Sequence, residues 1–232
     1  MINIKSVSKS FGMKPVLRNT TLDIAPGEFT ALIGPNGSGK TTLLRIIATL
    51  LRPNTGQVTV AGLNPDTRAY TVRQMLGVVS HQTLLYDNLT AYENLLFYAR
   101  LYNISDYAER ISMVLNEVDL TNWKDTLVRK FSHGMQQRLS IARAIIHKPK
   151  VILCDEPHTG LDQKASIRLD EILQSTAASG NTVLMITHDL KHALALSDKV
   201  AILHKGQIAY HGCTADLSLD AFANQYHEII NS

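Results

Sequence analysis

Long apolar runs, clustered cysteines and a strong excess of one charge are all missing from this 232-residue chain. No apolar stretch approaches the roughly 18 residues that a membrane-spanning helix needs. Val151–Cys154 and Val183–Ile186 have only the length of strands. The opening residues, Met1-Ile2-Asn3-Ile4-Lys5, alternate polar and apolar and lack the charged and then apolar regions of a signal peptide. The expectation is a chain that is soluble when isolated and reaches a membrane only through a partner. Cys154 and Cys213 stand 59 positions apart, which offers neither a zinc-ligand pattern nor a disulfide framework and fits a reducing cytoplasm. Cys154, inside an apolar run, reads as an ordinary buried thiol. The 23 Lys and Arg against 20 Asp and Glu give a net charge of only +3, and the basic residues are scattered, so no nucleic-acid partner is expected.

What is present is the balance of a globular protein, 45% hydrophobic and 19% charged residues. At about 150 residues per domain, the length allows one large domain or one with a subdomain. No repeat, low-complexity tract or flexible linker interrupts it. The first thirty residues read as short strands, with Ile2/Ile4 and Leu22/Ile24 alternating and Pro26-Gly27 supplying a turn. Phe29–Ile33 predicts a buried strand, Thr41–Leu51 a helix and Val58/Val60 an edge strand. Residues 84–148 are mostly helical in pattern, with a capping box at Thr90-Ala91-Tyr92-Glu93 and a second helix over Gln136–His147. Beyond Pro149 the pattern alternates: strand Val151–Cys154, helix Lys164–Thr176, strand Thr182–Ile186, helix Lys191–Leu196, strand Val200–Leu203. A hairpin through Lys205-Gly206 into Gln207–Tyr210 and a packing helix over Ser218–Ile230 complete it. Alternating strands and helices imply an α/β chain with a parallel sheet and helices on both faces. The expected organisation is one domain over 1–232, with 1–83 and 149–232 as catalytic core and 84–148 as an inserted helical subdomain.

Chemistry concentrates at strand ends. Gly34-Pro35-Asn36-Gly37-Ser38-Gly39-Lys40-Thr41 fits G-x-x-x-x-G-K-[ST] directly after a strand and directly before a helix. Glycines let backbone N–H groups close around phosphates, and the helix N-terminus favours anions. Lys40 is placed to reach the β- and γ-phosphates, with Thr42 beside it, and the Thr41 hydroxyl to ligate Mg²⁺. Asp155, closing the apolar strand Val151–Cys154, can hold a Mg²⁺-bound water, and the adjacent Glu156 can orient or deprotonate an attacking water. His188 follows a strand and can donate to a γ-phosphate. Gln82 follows the apolar pair Val78-Val79 and can ligate Mg²⁺ through its amide. A structural role for either strand-end residue remains open, and their order along one sheet favours the site.

Phe131-Ser132-His133-Gly134-Met135-Gln136-Gln137-Arg138 resembles the Leu-Ser-Gly-Gly-Gln signature of ATP-binding cassette ATPases, 23 residues before Asp155. Gly160-Leu161-Asp162 resembles that family's D-loop, and Phe11 fits its adenine-stacking aromatic. The resemblance covers essentially the whole chain and implies a P-loop NTPase of the ABC type. In that fold a parallel-sheet core carries an N-terminal antiparallel β subdomain and an inserted helical subdomain. It also implies ATP and Mg²⁺ as ligands and a head-to-tail dimer with two ATP molecules between the copies. Ser132 and Gly134 would then touch the γ-phosphate held by the other copy's Lys40 loop. Independently, Ser132 opens a helix and so makes a second anion site in a chain with one phosphate loop. Whether the pair is a homodimer or a heterodimer is open, with a homodimer expected.

Departures from the signature are His133 in place of its first glycine and Met135 in place of its glutamine, the latter losing a polar contact to the nucleotide. Neutral drift and a degenerate, non-hydrolysing site both account for them. Glu156, His188 and Gln82 favour hydrolysis. Within the family, no room exists for the coiled-coil insertion of repair or chromosome ATPases, and one cassette per chain differs from translation-type members. A P-loop kinase or GTPase leaves the signature unexplained. The expected function is therefore the ATP-hydrolysing subunit of a membrane ABC exporter, peripheral on the cytoplasmic face. Separate polytopic subunits would dock near Gln82–Tyr102, with Tyr86 the favoured contact. Tyr98 and Tyr102 fit either docking or packing. The run His81–Thr90 and Asp155-Glu156-Pro157-His158-Thr159-Gly160-Leu161-Asp162 resemble the ATPase subunit of the haem exporters of cytochrome c maturation. Other exporters, of drug, sodium or lipid type, are the alternative.

Overall fold

Ile2 faces Ile24, and Ile4 faces Leu22, across the antiparallel hairpin that opens the chain, β1 (Ile2–Phe11) and β2 (Lys14–Ile24). The computed structural model describes residues 1–80 and 82–231. His81, part of the docking run named above, and Ser232 lie outside the described residues. The two strands have 10 and 11 residues, longer than the short strands expected. Register shifts after Ile4, Val7 and Lys9 explain the difference, because each bulge resets the alternation that marks a strand. β3 (Phe29–Ile33) runs into the glycine loop and α1 (Lys40–Ile47), and β4 (Thr55–Val60) then pairs with β1 in a sheet ordered β2-β1-β4. α1 stops short of Leu51: Ala48 caps it and Thr49 turns left-handed at φ 64°.

α2 (Pro65–Gln74) was not expected from the sequence. Asn64 caps it by accepting from Asp66 N at 2.8 Å, and Pro65 occupies the first helical position. Val72 alone is buried, so no apolar stripe announces it. After β5 (Leu76–Val79) come α3 (Ala91–Leu101), α4 (Tyr107–Glu117) and α5 (His133–Ile145). The expected capping box is present: Thr90 Oγ1 accepts from Glu93 N and Glu93 Oε2 accepts from Thr90 N. α5 begins three residues before the expected Gln136, because Ser132 is its cap.

The remaining elements are β6 (Val151–Asp155), α6 (Gln163–Ala178), β7 (Thr182–Ile186), α7 (Leu190–Leu196), β8 (Lys199–His204), β9 (Gln207–Cys213) and α8 (Leu219–Asn231). The main sheet has the order β5-β6-β7-β3-β8-β9; every pairing is parallel except the β8/β9 hairpin. Its central strands are buried on both sides, as their unbroken apolar runs require. Phe29, Ile33, Ile152, Cys154 and Met185 meet α3 to α8. Leu32, Leu153, Ile186 and Leu203 meet α1, Val72 and the three-stranded sheet. Helices therefore dominate one face, whereas the antiparallel sheet shares the other with α1 and α2. Among the described residues, no helix is long and apolar enough to cross a membrane.

Candidate functional site

The carboxyl ends of β3, β6 and β7 open on one edge of the sheet, the place where parallel α/β sheets bind ligands. The Gly34–Gly39 loop is wedged in tightly. A Cβ at Gly34 would come within 2.2 Å of Leu203 O, and Gly39 caps α1 at φ 111°, a conformation that strains any other residue. Ser38 Oγ is buried here without a hydrogen-bond partner among the described residues. The Lys40 ammonium is buried and donates to Gly34 O at 2.7 Å and Pro35 O at 3.1 Å. Burial lowers its pKa against the opposing pull of Glu156 and Asp155. A cation that spans its own loop carbonyls, with an orphaned hydroxyl beside it, fits a phosphate that would take their place.

Asp155 Oδ1 accepts from Thr41 Oγ1 at 3.3 Å, pairing the two groups that the loop and β6 offer to a divalent cation. Burial raises the Asp155 pKa and Glu156 adds to that, while Thr41, Arg45 and Lys40 lower it. One residue on, Glu156 adopts φ 52°, and its N–H donates to Ile186 O at 3.0 Å. Its carboxylate Oε2 meets His188 Nδ1 at 2.7 Å. A left-handed glutamate is a strained backbone held at a functional edge. That strain turns its side chain to β7 and away from Asp155's direction.

Phe11, Asn36, Gly37, Gly39, Lys40, Thr41, Thr42, Asp155 and Glu156 line one open cavity of about 440 Å³, which also takes in Lys14 and Val16. The last two were missed from the sequence, since nothing in a polar hairpin marks which residues lean over a loop farther along the chain. Phe11 is 52% exposed, with the Lys9 ammonium 5.5 Å from its ring centroid. Gln82 is not brought into this group. It is exposed beyond β5, its carbonyl accepts from Ser80 Oγ, and among the described residues no hydrogen bond joins its side chain to Thr41 or Asp155.

Ser132, Gly134, Met135 and Asp162 line a second cavity of about 350 Å³, which shares no residue with the first. Ser132 Oγ accepts from Met135 N at 3.3 Å, and Asp162 Oδ1 accepts from Ala165 N at 2.8 Å, so both cap helices. A Cβ on Gly134 would stand 3.3 Å from Ala165 Cβ, which shows how closely the starts of α5 and α6 approach. His133 turns toward the D-loop: its Nε2 is 3.2 Å from Thr159 O and its ring lies against Gly160. Its bulk is directed at this chain's own loop.

Around the segment expected to dock, the structure separates the tyrosines. Tyr98 donates to Leu84 O at 2.7 Å, with the Arg143 guanidinium 5.3 Å from its ring, and Tyr102 stacks on His147 at 3.8 Å. Both serve internal packing. Tyr86 is half exposed and meets Phe97 edge-on at 5.2 Å, and Phe97 was not singled out from the sequence.

A nucleotide loop, a carboxylate pair and a strand-end histidine on one parallel-sheet edge make this a P-loop nucleoside triphosphatase. The antiparallel layer and the helices between β5 and β6 narrow it to the ATP-binding cassette type. The family model described as ABC transporter matches residues 17–159. The ABC transporter ATP-binding protein NatA of Bacillus subtilis (strain 168) is 37% identical over 224 residues, covering 94% of this chain and 91% of its own. Nod factor export ATP-binding protein I of Rhizobium meliloti (strain 1021) is 39% identical over 207 residues. That match takes in 88% of this chain but only 62% of the relative's length. A solved ATP-binding cassette, a dimer in a post-hydrolysis state bound to ADP and Pi, superposes with a TM-score of 0.84 at 30% identity, covering 92% of this chain and 99% of that one. The chain belongs to the ABC transporter family, as an ATPase subunit.

Proposed function

We propose that this chain hydrolyses ATP at a site shared between two copies and so drives a membrane exporter. The observation that carries the reading is the pair of contacts at the mouth of the Lys40 loop, Thr41–Asp155 and Glu156–His188. Lys40 and the loop N–H groups would bind the phosphates, with Phe11 against the base. Thr41 and Asp155 would hold Mg²⁺, which when bound supplies charge neutralisation at the phosphate oxygens. Gln82 would join them only after its loop moves inward.

Glu156 Oε2 is the base in this account. It accepts a proton from the attacking water, and His188, whose Nδ1–H donates to it at 2.7 Å, keeps the carboxylate aimed; donation from Nε2 to the developing phosphate charge would need the doubly protonated imidazolium. Ser132 and Gly134 lie in a separate cavity, so within one chain they cannot close over this site. A second copy, arranged head to tail, would present them to the phosphate from the open side. The solved relative whose description calls it dimeric supports a pairing of two copies.

The half-exposed Tyr86, Phe97 and Leu84 form the surface for a separate membrane subunit, which would place the chain peripherally at the membrane. That segment is wired to the signature: Val128 N donates to Leu89 O and Arg129 N to Asp87 O, both at 3.0 Å, just before Ser132. Force at Tyr86 can thereby reach the interface between copies. The relative named for Nod factor export supports an outward cargo. Haem as that cargo rests on the residues 81–90 and 155–162 alone. Tagged Glu156→Gln protein with MgATP, used to capture partners from detergent-solubilised membranes, decides between them. Polytopic cytochrome-biogenesis proteins would assign haem, a different permease would keep the motor and discard haem, and only soluble partners would overturn the exporter reading.

A further inference from the structure

Beside the nucleotide site, three side chains that ATP hydrolysis does not use converge from three elements. His158 stands in the turn after Glu156, Asp170 on α6 and His192 on α7. His158 Nε2 lies 2.6 Å from Asp170 Oδ1, and His192 Nε2 lies 3.7 Å from Asp170 Oδ2. The two imidazoles stack nearly parallel, 4.5 Å between centroids and 10° between planes, so one ring must turn for both to aim an in-plane lone pair at a shared ion. One ligating atom from each residue falls within 4.8 Å of the others.

We propose that His158, Asp170 and His192 form a site for one divalent transition-metal ion of the zinc class, separate from the cation expected at Thr41 and Asp155. Two imidazoles and one carboxylate suit Zn²⁺ or Co²⁺, whereas Mg²⁺ prefers oxygen ligands. Bond lengths of 2.0–2.2 Å put tetrahedral ligand atoms about 3.3 Å apart. His158 Nε2 stands 2.6 Å from Asp170 Oδ1 and His192 Nε2 3.7 Å from Asp170 Oδ2, one below and one above that spacing, so a shared ion would draw the imidazoles onto one oxygen as the carboxylate and a ring turn. A hydrogen-bonded trio without an ion uses the groups less well. It satisfies His158 Nε2 but leaves His192 Nε2 beyond hydrogen-bond reach of Asp170.

The surroundings are those of a ligand set. The three side chains are only 12%, 21% and 29% exposed, yet they face a cavity of about 710 Å³ that leaves a fourth position for water. Asp189 Oδ2 lies 3.2 Å from His192 Nδ1, and a carboxylate so placed holds the Nδ1–H and leaves Nε2 free to ligate. Asp189 also caps α7, directly after His188. An ion here would tie the turn between Glu156 and Asp162 to α6 and to the start of α7, clamping the two loops that carry the base and its histidine.

The test needs no nucleotide, so its failure is distinguishable from failure of the ATPase reading. Full-length protein in a Cys213→Ser background, which removes the exposed thiol, is titrated with Co²⁺ and then with Zn²⁺. Visible d–d absorption reports the ligand field. The expected result is one equivalent of Co²⁺ with intense four-coordinate bands, displaced by Zn²⁺, and a melting temperature raised by Zn²⁺. His192→Gln and Asp170→Asn, each shown folded by melting in chelator, should each weaken binding by at least about tenfold, the scale reached even when only a hydrogen-bond partner of a ligand is changed. The proposal is overturned by no saturable binding, by binding unchanged in both variants, or by binding lost in Glu156→Gln and kept in His192→Gln.

Discussion

Glu156 Oε2 and His188 Nδ1 stand 2.7 Å apart across the ends of β6 and β7, joined by a left-handed turn at Glu156 that no hydrophobic pattern encodes. The contact makes the carboxylate a directed base. Glu156→Gln keeps the shape and removes the base, so ATP turnover should fall by roughly 10²–10⁴ while nucleotide affinity stays near that of the parent. Turnover by phosphate release and affinity by fluorescent-nucleotide titration separate the two effects. Unchanged turnover would remove Glu156 from the role of base.

Lys40→Ala should leave folding intact, since among the described residues the ammonium bonds only to the carbonyls of its own loop. Loss of a charge-assisted contact of about 1.5–3 kcal/mol should weaken ATP binding roughly ten- to a hundredfold. Calorimetric titration with MgATP checks it, and retained tight binding would contradict the phosphate-loop assignment.

His133→Gly tests the departure from the signature. The imidazole bonds back to the D-loop at Thr159, so its removal should leave ATPase activity similar or higher. Collapse of activity to background would show that this histidine has a role of its own at the interface.

His147 gives a pH dependence. Burial, helped by Arg143 and Arg110, lowers its pKa to about 4 against the bond to Leu76 O. The unfolded chain therefore binds the extra proton between about pH 6.5 and 4, and stability falls as the pH drops through that window. The loss is on the order of 3 kcal/mol at the acid end. Urea melts of the parent and His147→Gln across that range should diverge from one another as pH falls, with the parent the steeper.

Much of this was legible in the sequence where local pattern and chemistry coincide. Phe29–Ile33 and Thr182–Ile186 are unbroken apolar runs because their strands are buried on both faces, and both were placed to the residue. The loop at Gly34–Thr41 announces itself by composition. Other features depend on contacts that sequence spacing hides. α2 carries one buried residue, and the long hairpin breaks its own alternation at bulges. Phe97 becomes a surface residue only through the way α3 packs, and Gln82's absence from the described lining of the Lys40 cavity is a matter of loop position. The meeting of His158, Asp170 and His192 joins three elements, so spacing along the chain gives no sign of it.

The composite site is the centre of the account, and the direct measurement is the sedimentation of Glu156→Gln protein with and without saturating MgATP. A dimer that forms only with MgATP, and is lost when Ser132→Arg is added to the same chain, is the predicted result. A monomer that demonstrably holds MgATP would contradict a site shared between two copies.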